Sequence, residues 1–109
     1  MPIRNIVLAA CVGAAFRKAG QVCTSVQRLY VHQDVQDDFA AALAASVGEL
    51  KWGDPRRDDT FVGPLISDGE TSRIEEWVGA AVSGGASVSA GGERTGTVFA
   101  PTVLKDVSP

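Results

Sequence analysis

The sequence predicts an α/β layer architecture, and two observations lead there. Three stretches carry apolar residues at helical spacing, and the segments between and after them are short, β-branched and bordered by glycine. With 109 residues, 45% hydrophobic and 21% charged, the chain can fill one modest core and has no room for a second domain. The order helix, strand, helix, helix, strand, strand suits helices packed on a small sheet better than it suits a bundle.

Val7, Leu8, Cys11, Val12, Ala15 and Phe16 form a stripe that predicts a helix over 6–18, with Cys11 on its apolar side. Gly20 is the expected stop, because glycine tolerates the left-handed conformation that closes a helix. Cys23 then falls just past a helix end. Val26 to Val31 favour a short strand, with His32 at its solvent end and too isolated to be a base. Asp34 is the expected N-cap of a second helix over 35–50, built on Val35, Phe39, Leu43, Val47 and Leu50. KWGDPRRDDTFVGPLI, residues 51–66, reads as a long ordered loop, its acidic run interleaved with Arg56 and Arg57.

Ser67 and Glu70 have the S-x-x-E spacing of a capping box, in which each side chain satisfies a free amide at a helix start. The helix after this box turns Ile74, Val78, Ala81 and Val82 inward and ends at Gly84-Gly85. Strands are expected at 86–90 and 98–104, joined by the turn-rich GGERTG. Trp52 and Trp77 read as core or interface aromatics. The chain opens on a helix and stops after a strand, the look of a piece cut from something larger.

A net charge of −3, with Lys and Arg scattered, offers no surface for tracking phosphates, so nucleic acid is not an expected partner. The apolar run IVLAACVGAAF is too short to span a bilayer and lacks the pattern of a signal peptide. Neither a membrane nor secretion is expected, which makes the cytoplasm the expected location. Two cysteines and one histidine, without C-x-x-C, argue against a metal site. Reduced thiols are expected rather than a Cys11–Cys23 disulfide.

A lone cysteine is most often a small buried hydrophobe, and Cys11 keeps that reading. Cys23 differs, because it sits in a polar, glycine-bordered turn, and a thiol that does chemistry needs exposure. Residues 16–23, FRKAGQVC, resemble the F-x-N-x-G-Q-x-C signature around the nucleophile of the NAD(P)-dependent aldehyde dehydrogenases. SVQRLYVHQDVQDDF, GDPRRDDTFVGPLIS, the helix from Arg73 to Val82, GGASVSAGG and PTVLKDV are similar in order and spacing to the family's stretch on the C-terminal side of that signature. The resemblance covers nearly the whole chain after about residue 6. It departs at Lys18, where the family commonly has Asn.

That resemblance implies a segment, residues 1–109, of an aldehyde dehydrogenase catalytic domain, with the cofactor-binding domain absent. Cys23 would be the nucleophile. Its thiolate would attack an aldehyde carbon, a hydride would pass to NAD or NADP, and water would hydrolyse the thioester to an acid. The Cys23 N–H would supply half of an oxyanion hole. Arg17 would face the substrate and, as in similar succinic semialdehyde dehydrogenases, hold a carboxylate, for which a guanidinium fork is suited. Its rival role is that of a solvated arginine near a helix C-terminus.

Val22 and Thr24 would line the substrate pocket, and Arg73 would reach the cofactor ribose. A surface arginine is the competing reading of Arg73, and simple packing that of Val22 and Thr24. The family's oxyanion asparagine and general base precede the cysteine, so this chain alone is expected not to turn over aldehyde. Family members are commonly dimers or tetramers, and a homo-oligomer is expected. The alternatives are a non-catalytic homologue acting as an assembly or interaction module, and an esterase-like thiol at Cys23.

Overall fold

The structure, a computed structural model, describes residues 3–109, so Met1 and Pro2 of the predicted single segment lie outside the described residues. Three helices and two small antiparallel sheets succeed one another along the chain: α1 (Ile3–Phe16), α2 (Gln36–Gly48), α3 (Asp68–Ser83), β1 (Ser87–Ala90), β2 (Arg94–Thr95), β3 (Val98–Phe99) and β4 (Val103–Lys105). The α/β architecture matches the expectation. Strand β1 pairs with β4, and β2 pairs with β3.

The predicted stripe of α1 does bury a face, but a narrow one. Leu8, Leu43 and Val47 form the centre, and Cys11, Val12, Phe16, Phe39, Ala42, Leu50, Ala90 and Val103 pack around them. So α1, α2 and the β1–β4 sheet share one core, and Cys11 is part of it. The radius of gyration is 13.9 Å, slightly above the roughly 13 Å of a compact chain this long. Apolar surface remains open, as at Ile3, Ile6, Tyr30 and Ile66.

Several boundaries differ from the sequence expectation. Helix α1 ends at Phe16, because Lys18 and Ala19 take left-handed backbone angles (φ 54° and 57°) just ahead of Gly20. No strand forms over 26–31. Beyond Val26, whose N–H donates to the Ala14 carbonyl (3.2 Å), this backbone pairs with no strand among the described residues. Without a neighbour there is no ladder, whatever the β propensity.

Asp34 is not the cap of α2. Val35 occupies that position without a side-chain bond, while the Asp34 N–H donates to His32 Nδ1 (3.2 Å). Asp37 and Asp38 in the first turn bring negative charge to the open amides instead. His32 is exposed, as expected, but ends no strand.

The predicted strand 98–104 is split in two, because Pro101 has no N–H for a ladder. Strand β2 forms inside the GGERTG stretch that was expected to be all turn. The β1–β4 register shifts between Val88 and Ala90, a bulge at Ser89. On α3, Ile74, Val78 and Ala81 are half-buried, as a helix turning them inward requires, whereas Val82 is exposed at 43%. Ser67 Oγ accepts the Glu70 N–H (3.1 Å), so half of the capping box is present. The Glu70 carboxylate turns to Arg73 rather than back to Ser67.

Candidate active site

Cys23 sits in a turn closed by the Ser25 N–H donating to the Val22 carbonyl (2.9 Å), and its thiol is free and exposed. Val22 and Thr24 flank it, half-buried and exposed respectively. Among the described residues, neither the Cys23 N–H nor its Sγ has a hydrogen-bond partner. The thiol and one backbone donor are therefore both free at the same residue, which is the chemistry an attacking sulfur and a developing oxyanion need.

The turn is fixed from two sides. Toward α1, Ser25 Oγ donates to the Ala15 carbonyl (3.2 Å) and the Val26 N–H donates to the Ala14 carbonyl (3.2 Å). These carbonyls are in the last turn of α1, where the intrahelical ladder has run out. Toward the loop after α2, the Gln21 side-chain amide grips residues 64–66. Its Oε1 accepts the Ile66 N–H (2.9 Å), and its Nε2 donates to the Pro64 carbonyl (3.3 Å) and to the Lys18 carbonyl (3.2 Å).

Between α1 and Cys23 the chain reverses through Arg17–Gly20, where Lys18, Ala19 and Gly20 all have positive φ. A Cβ on Gly20 would sit 3.3 Å from the Ala15 carbonyl oxygen, a tight approach on top of the unfavourable φ of 75°. Arg17 opens this reversal, exposed and without a side-chain partner among the described residues. Arg17, Val22, Cys23 and Thr24 thus fall on two successive turns. Arg73 lies elsewhere, on α3, with its guanidinium against Glu70 and 4.5 Å from the Trp77 ring centre. That stack explains an exposed Trp77, which is not a core residue.

Three contributors were not read from the sequence. Gln21 stood out there only as a letter of the motif. Thr71, fully buried, donates from Oγ1 to the Ser67 carbonyl (2.8 Å) and approaches the Thr97 carbonyl (3.4 Å). Arg94 joins the β2–β3 hairpin to α3: it donates to the Gly96 carbonyl (2.8 Å), Ser72 Oγ (2.9 Å), Glu75 (2.9 Å) and Asp68. Arg94 hid inside a stretch whose glycines signal turn, and nothing local in the sequence points to α3.

Of two open grooves, one is lined by Leu8, Val12, Leu50 and Phe61 and the other by Trp52, Pro64, Thr97 and Val98; neither includes Cys23. No helix among the described residues is long and apolar enough to cross a membrane, and none of their His, Cys, Asp and Glu side chains gather into a group able to hold a metal.

The model of the aldehyde dehydrogenase family matches residues 4–109. The chain belongs to that family. It is 43% identical over 94 residues to a 3-sulfolactaldehyde dehydrogenase of Priestia aryabhattai, covering 86% of this chain and 20% of the relative. It is 38% identical to the mitochondrial succinate-semialdehyde dehydrogenase of Arabidopsis thaliana, covering 95% of this chain and 20% of that one. Among solved structures, aldehyde dehydrogenase 21 of Physcomitrella patens in complex with the reaction product succinate superposes with a TM-score of 0.90 at 38% identity, over 95% of this chain and 22% of that one. The chain thus spans about a fifth of the length of its aldehyde dehydrogenase relatives. These relatives favour the catalytic segment over the assembly module.

A structure of another relative, a glyceraldehyde-3-phosphate dehydrogenase of Methanocaldococcus jannaschii, is complexed with NADP. In this chain the glycine pair that could cradle a phosphate is already filled. A Cβ on Gly91 would collide with the Pro101 carbonyl, and the Gly92 N–H donates to Thr102 Oγ1 (2.9 Å). That glycine pair therefore leaves no open cradle for a phosphate.

Proposed function

We propose that this chain, as a single segment of an aldehyde dehydrogenase catalytic domain, supplies the nucleophile for oxidation of an aldehyde to a carboxylic acid. The observation that carries the reading is Cys23, a free, exposed thiol in a turn held to α1 and to residues 64–66. Its thiolate would add to the aldehyde carbon as a carbon–sulfur bond forms and the carbonyl electrons move to oxygen. The Cys23 N–H is free to donate to that oxygen. The later hydride and water steps need NAD or NADP and a base, which in this reading belong to the four-fifths of the relatives' length that the chain does not span. An isolated chain would add aldehyde but not oxidise it.

The substrate in this reading carries an anionic group. Arg17 faces it, and Val22 and Thr24 border the reacting carbon. Support comes from relatives named for succinate semialdehyde, 3-sulfolactaldehyde and sulfoacetaldehyde, each of which bears a carboxylate or sulfonate. A benzaldehyde dehydrogenase of Bacillus subtilis at 40% identity sets the rival. Arg73, whose Nε and Nη2 are held by Glu70, would reach a cofactor ribose through its remaining donors. A cytoplasmic homo-oligomer completes the proposal.

The test is turnover of succinate semialdehyde and of benzaldehyde by the intact gene product with each nicotinamide cofactor. Expected are a preference for the anionic aldehyde, a fall of roughly a thousandfold or more in Cys23→Ser, and a rise of roughly tenfold or more in KM for succinate semialdehyde alone in Arg17→Ala. Turnover that survives Cys23→Ser would overturn the reading.

A further inference from the structure

We propose that Gln21 is the positioning residue of the nucleophile, docking the Cys23 turn on the backbone of residues 64–66. This rests on the reading of Cys23 as the attacking thiol. The side chain of Gln21 acts at two points at once: it accepts from Ile66 N–H at 2.9 Å and donates to the Pro64 carbonyl at 3.3 Å. That two-point pattern copies the pairing of one strand with its neighbour, and a primary amide, with a donor and an acceptor on the same carbon, is the neutral side chain suited to make it. The same Nε2 also reaches back to the Lys18 carbonyl at 3.2 Å, tying the left-handed reversal into the clamp.

The surroundings explain why such a clamp is needed. The thiol of Cys23 is exposed, its Sγ has no partner among the described residues, and the residue after it is exposed as well. Packing therefore does little to set the direction of the thiol. Ser25 and Val26 fix the turn against α1 on its C-terminal side. On the N-terminal side, just ahead of Val22 and the sulfur, Gln21 is the tether. The extended segment it grips is itself anchored, because the Leu65 N–H donates to the Thr97 carbonyl (2.8 Å), and Thr97 in turn lies over the buried Thr71 hydroxyl. The position of the sulfur is thus referred, through one side chain, to the α3 and hairpin half of the molecule.

Such a role predicts a particular signature. A displacement of about 1 Å at a reacting atom costs about a hundredfold in rate, whereas a small untethered alkylating agent approaches the sulfur from any direction. In the intact gene product, Gln21→Ala is expected to lower kcat for succinate semialdehyde by roughly tenfold to a hundredfold with KM nearly unchanged. Iodoacetamide should still alkylate Cys23 at close to the wild-type rate. Gln21→Glu adds a readout that a merely structural side chain would not give. A protonated carboxyl again has one donor and one acceptor, so the ratio of variant to wild-type kcat should rise as pH falls toward the carboxyl pKa.

The clamp itself is read by amide hydrogen exchange at Ile66, which should quicken several-fold in Gln21→Ala. An unchanged kcat in Gln21→Ala, or alkylation falling in step with turnover, or unchanged exchange at Ile66, would each overturn the proposal. Exchange and alkylation do not depend on dehydrogenase turnover. If Cys23→Ser leaves turnover intact while Ile66 exchange responds to Gln21, the assignment of the nucleophile has failed and the clamp has not.

Discussion

Around Arg94, four hydrogen bonds converge on one side chain that is only 19% exposed; around Cys23, no hydrogen bond from the described residues reaches the thiol. The first region joins α3 to the β2–β3 hairpin by side chains whose donors and acceptors are matched. The second is shaped by left-handed main chain, a reversed turn and carbonyls at a helix end, and is tethered by the side chains of Gln21 and Ser25, none of which hydrogen-bonds the sulfur. The contrast separates a region that carries stability from one that keeps a reactive group free. A thiol bonded as thoroughly as Arg94 would have no capacity left for a substrate.

The largest effect expected from this contrast is at Arg94. Arg94→Met keeps the apolar stem and removes every donor, leaving the Gly96 carbonyl and Ser72 without their partner. Asp68 and Glu75 are well exposed, at 79% and 55%, so their ion pairs are screened and contribute little. The two neutral acceptors and the lost tether account for most of an expected destabilisation of about 2 kcal/mol, read as a lower urea midpoint at unchanged slope. Iodoacetamide alkylation of Cys23 should barely change. A loss below about 0.5 kcal/mol, the usual range for an ordinary surface site, would mean that the hairpin is held by packing and that the contrast is overstated.

A smaller effect, of opposite sign, is expected in the reversal. Lys18 and Ala19 have no side-chain means of easing a left-handed backbone, which costs L-residues roughly 1–2 kcal/mol each. Asn is among the few side chains that tolerate that conformation. The departure from the family signature at Lys18 is therefore a local strain. Lys18→Asn should stabilise by about 0.5–1 kcal/mol and raise Tm by a few degrees. A fall in Tm would show that the Lys18 side chain makes a contribution its position does not reveal.

The range of the forces involved decides how much of this was legible in the sequence. The three helices were, because apolar spacing and the Ser67 cap are written within a few residues. The exposed turn at Cys23 was, because glycine and polar neighbours are local too. The extent of α1 was not: Lys18 and Ala19 are ordinary helix formers, and the left-handed angles they adopt answer to Ser25, Val26 and Gln21 further along. The strand over 26–31 was misjudged for a related reason, since propensity is local and a ladder is not. Pro101 was visible in the sequence, and its missing N–H was sufficient reason to divide the strand over 98–104. Arg94 and Gln21 act across 26 and 45 residues respectively, and no pattern in one sequence announces such a pairing.

The smallest expected effect lies in the charged loop between the two regions. Arg56 donates to Asp54 from Nε (3.0 Å) and Nη2 (2.8 Å), and its backbone N–H reaches Oδ1 (2.9 Å). The side-chain bond first, and the backbone bond second, hold the Asp54 carboxyl below its usual pKa. A carboxyl lowered in the folded state stabilises the fold above its unfolded pKa, and that contribution is lost as pH falls through the folded value. The window is therefore acidic, below the ordinary carboxylate range, and since both partners are exposed to solvent the effect on stability should be slight. The carboxyl titration of Asp54 by NMR checks this directly: in Arg56→Ala the pKa should rise most of the way to normal, with the backbone bond keeping a remainder. An unchanged titration would show that the ion pair does not persist in solution. The loop's ion pairs are local, Asp54 with Arg56 and Arg57 with Asp59. Neither the Cys23 alkylation rate nor the contribution of Arg94 should respond to Arg56→Ala; if either did, the two regions would be coupled through this loop rather than through Gln21.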